Sequence, residues 1–189
     1  LMVWSEDVVS RRIYTASFKN LETGEILQDK LEGLAGSPTW AGDNKTLFYV
    51  KKDPKTLREF QIWRHTLGTP QNTDVKVYEE ADEEFSCFVY KTKSKKYMVI
   101  GSNQTLSSEY RVLDATNPSG EFRVIQPRER DHEYSIDHYG NEFYISTNWQ
   151  AKNFRLMKCP ENATTKENWT EVIGHRDDVL LEGIEIFKN

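Results

Sequence analysis

The residue types best suited to chemistry are concentrated in one short string, Asp131 to His138, where two histidines stand among carboxylates. Imidazole and carboxylate groups bind transition metals and transfer protons. If residues 133–137 form a strand, His132 and His138 flank its two ends, about 20 Å apart at about 3.3 Å per residue. Side chains at that separation cannot share one metal ion. We therefore interpret both as polar residues at strand ends and predict no metal site.

The sequence offers no recognisable nucleophile. It contains no G-x-S-x-G elbow, the strained turn that presents a catalytic serine. Cys87 and Cys159 do not form a C-x-x-C pair, and both fall in predicted strands, where a packed, reduced thiol is expected. The glycine-rich loops that cradle phosphates are also absent from the sequence, so we predict no cofactor.

Two charged clusters are candidates for recognition. The acidic run Glu79 to Glu84 connects two predicted strands, and Arg11-Arg12 lies in a loop between two others. Such runs are typical of solvated loops, but they also suit a rim that attracts cationic peptides or pairs with another domain. The residues that we predict for an interdomain or substrate-facing rim are Arg11, Arg12, Glu79, Glu80 and Asp82.

Composition indicates a soluble β-rich protein. The chain has 189 residues, 29% of them charged and 12% aromatic, and the aromatic residues concentrate in strand-like runs. The net charge of −5 argues against nucleic acid as a partner. No apolar stretch approaches the roughly 18–20 residues needed to cross a membrane. With no signal peptide visible, a cytoplasmic location is expected. The chain opens inside an apolar run without Met, so we interpret it as a piece of a longer protein.

The elements that must position these residues recur about every 45 to 51 residues, a spacing typical of β-propeller blades. No long helical period stands out. The predicted fold class is all-β, an incomplete propeller with about four four-stranded antiparallel blades, and the alternative is a sandwich or closed barrel. The predicted blades are 1–30, 37–78, 86–125 and 133–173, and a further one begins at 179–187.

Several strings together resemble the propeller domain of the oligopeptidase B group, in the prolyl oligopeptidase family of serine peptidases. The resemblance spans nearly the whole chain. It is carried by Trp4-Ser5-Glu6-Asp7 with Ser10-Arg11-Arg12, Lys19 to Glu25, Asn44 to Val50, Trp63 to Thr69, Val77 to Glu80, Asp131 to His138, Asn153 to Leu156 and Leu181 to Gly183.

The resemblance implies a seven-bladed propeller that covers an α/β-hydrolase domain and limits access to it. It implies a cytosolic enzyme that cleaves short peptides after Arg or Lys, with its catalytic residues in the hydrolase domain. On this basis the expected partners are a C-terminal hydrolase domain of the same chain and short basic peptides. The fragment itself is expected to be inactive.

Two other functions remain open from sequence. One is a stand-alone propeller that serves as a binding scaffold without an enzyme, and the other is a self-contained all-β binding domain. An open arc leaves strand edges and apolar faces uncovered, so we expect the isolated chain to self-associate or to be marginally stable.

Overall fold

A computed structural model describes residues 1–187 as three antiparallel sheets. Within this range there is no α-helix, only two short 3₁₀ turns at Gln71–Thr73 and Lys166–Asn168. The predicted all-β class is therefore confirmed. None of the described helical segments has the length and apolar character to cross a bilayer.

The strands form four consecutive units. In chain order they are β1 (Met2–Glu6), β2 (Tyr14–Lys19) and β3 (Ile26–Leu34); β4 (Thr39–Trp40), β5 (Thr46–Lys52), β6 (Glu59–Thr66) and β7 (Val75–Glu79); β8 (Ser86–Lys91), β9 (Tyr97–Gln104), β10 (Ser107–Asp114) and β11 (Arg123–Val124); and β12 (Tyr134–Tyr139), β13 (Glu142–Thr147), β14 (Arg155–Pro160) and β15 (Thr170–Ile173).

The third and fourth units are separate four-stranded sheets, as the repeat predicts. The first two units instead share one seven-stranded sheet, because β3 continues to Leu34 and pairs there with Lys51 of β5. The short β4 covers only the start of β5, at Leu47 and Phe48, which leaves the far end of β5 free for β3. The last strand of the first unit thus runs to Leu34, a few residues past the approximate bound at residue 30, and no sheet closes on itself among the described residues.

One apolar core fills each junction between consecutive units. The second strand of a unit supplies side chains to both neighbouring cores, because successive residues of a strand point to opposite faces. In β5, Leu47 and Tyr49 pack towards the first unit, whereas Phe48 packs towards the third. The units therefore stack face to face, and an internal unit is buried on both sides.

The predicted further strand at 179–187 is not formed in the structure. Residues 174–187 contain one isolated bridge, between Arg176 and Val179, and lie against the fourth unit through a hydrogen bond from the Leu181 amide to the Asn153 carbonyl. The assignment of this segment to another blade stays a prediction.

Candidate functional site: a rim of connecting loops

Alternate connections of an antiparallel meander lie at the same end of its strands. Four segments that meet this condition form what we call the connection rim, residues 7–13, 53–58, 80–85 and 125–133. Contacts join them in sequence. The ammonium of Lys52, the last residue of β5 before segment 53–58, donates to the Arg12 carbonyl at 3.2 Å. The Arg58 guanidinium donates to three carbonyls of segment 80–85 at 2.8 to 3.3 Å.

The predicted arginine pair stands exposed at one end of the rim. The Asp7 carboxylate holds its loop by accepting backbone N–H groups, at 3.2 Å from Arg11 and 2.6 Å from Arg12. Arg12 has a positive φ of 55°, a strained conformation for a non-glycine residue that these hydrogen bonds maintain. Neither guanidinium makes a hydrogen bond or ion pair within residues 1–187, so both cations remain available to a partner.

The acidic run separates into exposed and buried carboxylates. Glu79 is exposed and accepts hydrogen bonds from Lys76 and, at 2.9 Å, from Gln61. Asp82 is also exposed. Glu80 is only 3% exposed, so the interpretation of the whole run as a solvated loop is wrong at this position.

Glu80 lies at the centre of a buried polar network. Its carboxylate accepts hydrogen bonds from the Tyr78 hydroxyl and from Arg128 Nη2, both at 2.6 Å. It also accepts the Asp82 backbone N–H at 3.0 Å and the Ser102 hydroxyl. Burial opposes ionisation of Glu80, but the hydrogen bonds from Arg128 and two hydroxyl groups outweigh it and lower the pKa to about 2. Glu80 is thus a stable, fully bonded anion.

Two cationic side chains complete the network. Arg128 lies 3.3 Å from Glu109 and stacks at 4.0 Å over the Phe85 ring. Burial disfavours the Arg128 cation, yet the Glu80 carboxylate raises its pKa above the usual value. Arg111 pairs with Glu109 at 2.6 Å. Two buried anions are therefore balanced by two partly exposed cations, as buried charges require.

Two open clefts flank this network. One of about 460 Å³ is lined by Asp53, Arg58, Phe60 and residues of the acidic run. The other, of about 530 Å³, is lined by Phe85, Leu106 and the segment 128–131. Both clefts are lined by carboxylates, arginine and a phenylalanine, which suits contact with a charged polypeptide surface.

Sequence reasoning missed Arg58, Arg128 and Glu109. They lie in three different segments and join the network only after folding, Arg58 and Arg128 by contact with Glu80 and Glu109 through Arg128, so no local pattern reveals them. Glu80 itself carried a signal, because period-2 alternation through β7 places it on the same face as Tyr78.

The histidine string has a structural role. His132 is buried and hydrogen bonds through Nε2 to the Thr147 hydroxyl at 3.0 Å. His138 lies within β12, with Nδ1 at 2.8 Å from Ser94 and Nε2 at 2.7 Å from Glu161. Burial lowers the pKa of both imidazoles. The sequence placed both at strand ends; in the structure both are buried, with His132 before β12 and His138 inside it. Residues 1–187 contain no cluster of three potential metal ligands.

The two thiols are unsuited to nucleophilic chemistry. Cys87 and Cys159 are buried and free, as predicted. Burial raises the pKa of the thiol to about 12 for Cys87 and about 11 for Cys159. Because only the thiolate is a strong nucleophile, neither residue is a catalytic candidate.

Comparison with known proteins agrees with this architecture. The family model for the prolyl oligopeptidase N-terminal beta-propeller domain matches residues 1–189. Dipeptidyl aminopeptidase BI of Pseudoxanthomonas mexicana is 42% identical over 188 residues, which are 99% of this chain and 26% of that protein. Protease 2 of Moraxella lacunata is 29% identical, over 93% of this chain and 25% of that protein.

Solved structures give the same result. Oligopeptidase B from Leishmania major superposes with a TM-score of 0.86 at 33% identity, over 95% of this chain and 25% of that one. Oligopeptidase B from Trypanosoma brucei, with covalently bound antipain, superposes with a TM-score of 0.87 at 28% identity, over 98% of this chain and 26% of that one. The chain thus spans about a quarter of the length of these relatives. The resemblance seen in the sequence is confirmed, and the chain belongs to the N-terminal β-propeller domain family of the prolyl oligopeptidases.

Proposed function

We propose that this chain is the substrate-gating, non-catalytic propeller portion of a serine endopeptidase similar to oligopeptidase B, which cleaves short peptides after Arg or Lys. The observation that carries the proposal is the match of the whole chain to the propeller domain of peptidases about four times its length. The chemistry of the chain supports it, because both thiols are buried with raised pKa values and the rim presents exposed charges.

The connection rim is the proposed contact with the catalytic domain and with peptides that pass it. Arg11 and Arg12 supply exposed cations at one end, and Asp82 supplies an exposed anion further along. A rim with both signs of charge can pair with a complementary surface and select its orientation. Glu79 belongs to this surface, whereas Glu80 lies beneath it.

The full-length protein that contains this chain tests the proposal. It is assayed on a short peptide amide that ends in Arg, on the same amide ending in Leu, and on a folded protein with exposed arginines. The proposal predicts cleavage of the Arg amide alone. Cleavage of the folded protein as fast as the Arg amide would refute the gating role. Faster cleavage of the Leu amide than of the Arg amide would refute the specificity for basic residues.

The rim is tested by Arg11→Ala and Arg12→Ala in the same protein. The matched control is Lys45→Ala, an exposed cation in the β4–β5 turn at the opposite end of the strands. Loss of a rim cation should change KM and its dependence on salt, while the control should match wild type. Identical kinetics in all three variants would exclude the arginine pair from the interface.

A second activity is favoured by one observation. The relative at 42% identity is named a dipeptidyl aminopeptidase, whereas Protease 2 is at 29%. The discriminating pair is a free dipeptide amide and the same amide with a blocked amino terminus. An endopeptidase accepts the blocked substrate, and an enzyme that removes amino-terminal dipeptides requires the free amine.

A further inference from the structure

The buried network around Glu80 connects two separate pieces of the connection rim. Glu80 belongs to segment 80–85, which leads from the second unit to the third, and Arg128 belongs to segment 125–133, which leads from the third to the fourth. Their side chains meet through Arg128 Nη2 and Glu80 Oε2 at 2.6 Å. The Arg128 guanidinium also covers the Phe85 ring at 4.0 Å, so both ends of segment 80–85 are fixed.

Glu80 has no capacity left for an external partner. Its two oxygens already accept from Tyr78, Ser102, Arg128 and the Asp82 amide, and its side chain is 4% exposed. The neighbouring Asp82, Glu83 and Glu84 are exposed. Any contact with a substrate or domain is therefore made by these neighbours, and Glu80 acts on the rim only through the geometry that it imposes.

We propose that Glu80 and Arg128 are positioning residues that lock the two blade connections 80–85 and 125–133 together, so that the rim presents its exposed charges in one fixed arrangement. This rests on the proposed function of the rim and adds the pair that shapes it. Arg111 and Glu109 support the lock from β10, because Glu109 binds both arginines.

The lock lies outside the strand ladders and the apolar cores of the blades. The cores on either side of the third unit are built from other residues, and the ladders of β8, β9 and β10 do not include Glu80 or Arg128. Loss of the pair should therefore accelerate local opening of the two segments far more than opening of the strands, even where it also lowers the global stability. This expectation separates a positioning role from a general contribution to folding.

Hydrogen exchange of the full-length protein, read by mass spectrometry, tests the lock. The variant is Glu80→Gln, and the matched control is Glu83→Gln, the same change at an exposed position of the same segment. Exchange in Glu80→Gln should accelerate about tenfold or more in both 80–85 and 125–133, since hydrogen bonds to charged groups are lost. Peptides from β2 and β13 should accelerate much less than these two segments, and the control should match wild type.

Unchanged exchange in segment 125–133, or equal acceleration throughout the chain, would overturn the proposal. Should Glu80→Gln fail to fold, Arg128→Lys carries the same test with the same outcomes, because it keeps the charge but loses the planar fork. In the peptidase assay the lock predicts a higher KM with kcat retained. A full-length protein without peptidase activity would refute the proposed function while leaving the exchange result to decide the lock.

Discussion

The close approach of Gly101 to an aromatic ring gives the most quantitative prediction. Gly101 lies in the centre of β9, and a Cβ atom added there would stand 2.3 Å from Cζ of Phe88 and 2.6 and 2.8 Å from two other ring atoms. Carbon atoms in protein interiors normally stay about 3.5–4.0 Å apart. Gly101→Ala therefore requires the ring to move by more than about 1 Å.

The energetic cost follows from what holds the ring. Phe88 stacks on Tyr90 with ring centroids 6.1 Å apart and meets Tyr110 edge-on, also at 6.1 Å. Overpacking of this kind costs about 1–3 kcal/mol, and replacing a strand glycine returns about 0.5–1 kcal/mol through backbone entropy. The net loss in the free energy of unfolding is about 0–2.5 kcal/mol, and its midpoint of about 1 kcal/mol lowers Tm by about 2–4 °C in a chain of this size.

Thermal unfolding of Gly101→Ala beside Gly36→Ala measures this loss. Gly36 has no atom within 4 Å of its added Cβ and no positive φ, so its substitution should leave Tm unchanged or slightly higher. The double variant Phe88→Leu with Gly101→Ala should recover part of the loss, because the smaller side chain makes room. A Tm for Gly101→Ala at or above wild type would refute the packing argument.

Three further predictions concern charge, thiols and exposed faces. The pKa of Glu80 is lowered from 4.5 to about 2, so the carboxylate stabilises the fold fully above pH 4.5 and loses this effect as the pH falls towards 2. Glu80→Gln should therefore flatten the pH dependence of the free energy of unfolding in that window. An unchanged pH profile would contradict the network. Cys87 and Cys159 should react with a thiol reagent at pH 8 only after denaturation, and rapid labelling of the native protein would contradict their burial. The outer strand of the fourth unit exposes 45% of Val172 and 48% of Ile173, so the isolated chain should self-associate in light scattering as its concentration rises, and a stable monomer would count against uncovered faces.

The sequence predicted the strands whose two faces are both apolar. Runs such as Thr46 to Val50 and Tyr97 to Ile100 must be buried on each side, and a repeat of such runs leaves a stack of sheets as the simple solution. The repeat predicted a propeller and the resemblance added its family, and the match to the prolyl oligopeptidase propeller domain confirms that family.

The remaining features depend on contacts that no local pattern encodes. The first two units share one sheet because β3 continues past residue 30 and pairs at Leu34 with Lys51 of β5. The burial of Glu80 depends on Arg128, which lies 48 residues away in sequence. A run of acidic residues predicts solvent exposure on average, and only the fold shows which carboxylate turns inward.

The central claim, that gating and catalysis reside in different parts of one peptidase, is tested most directly by one comparison. The purified 189-residue chain and the full-length protein that contains it are assayed on the same Arg-ending peptide amide. The account predicts hydrolysis by the full-length protein and none by the chain alone. Hydrolysis by the purified chain, or none by the full-length protein, would contradict it.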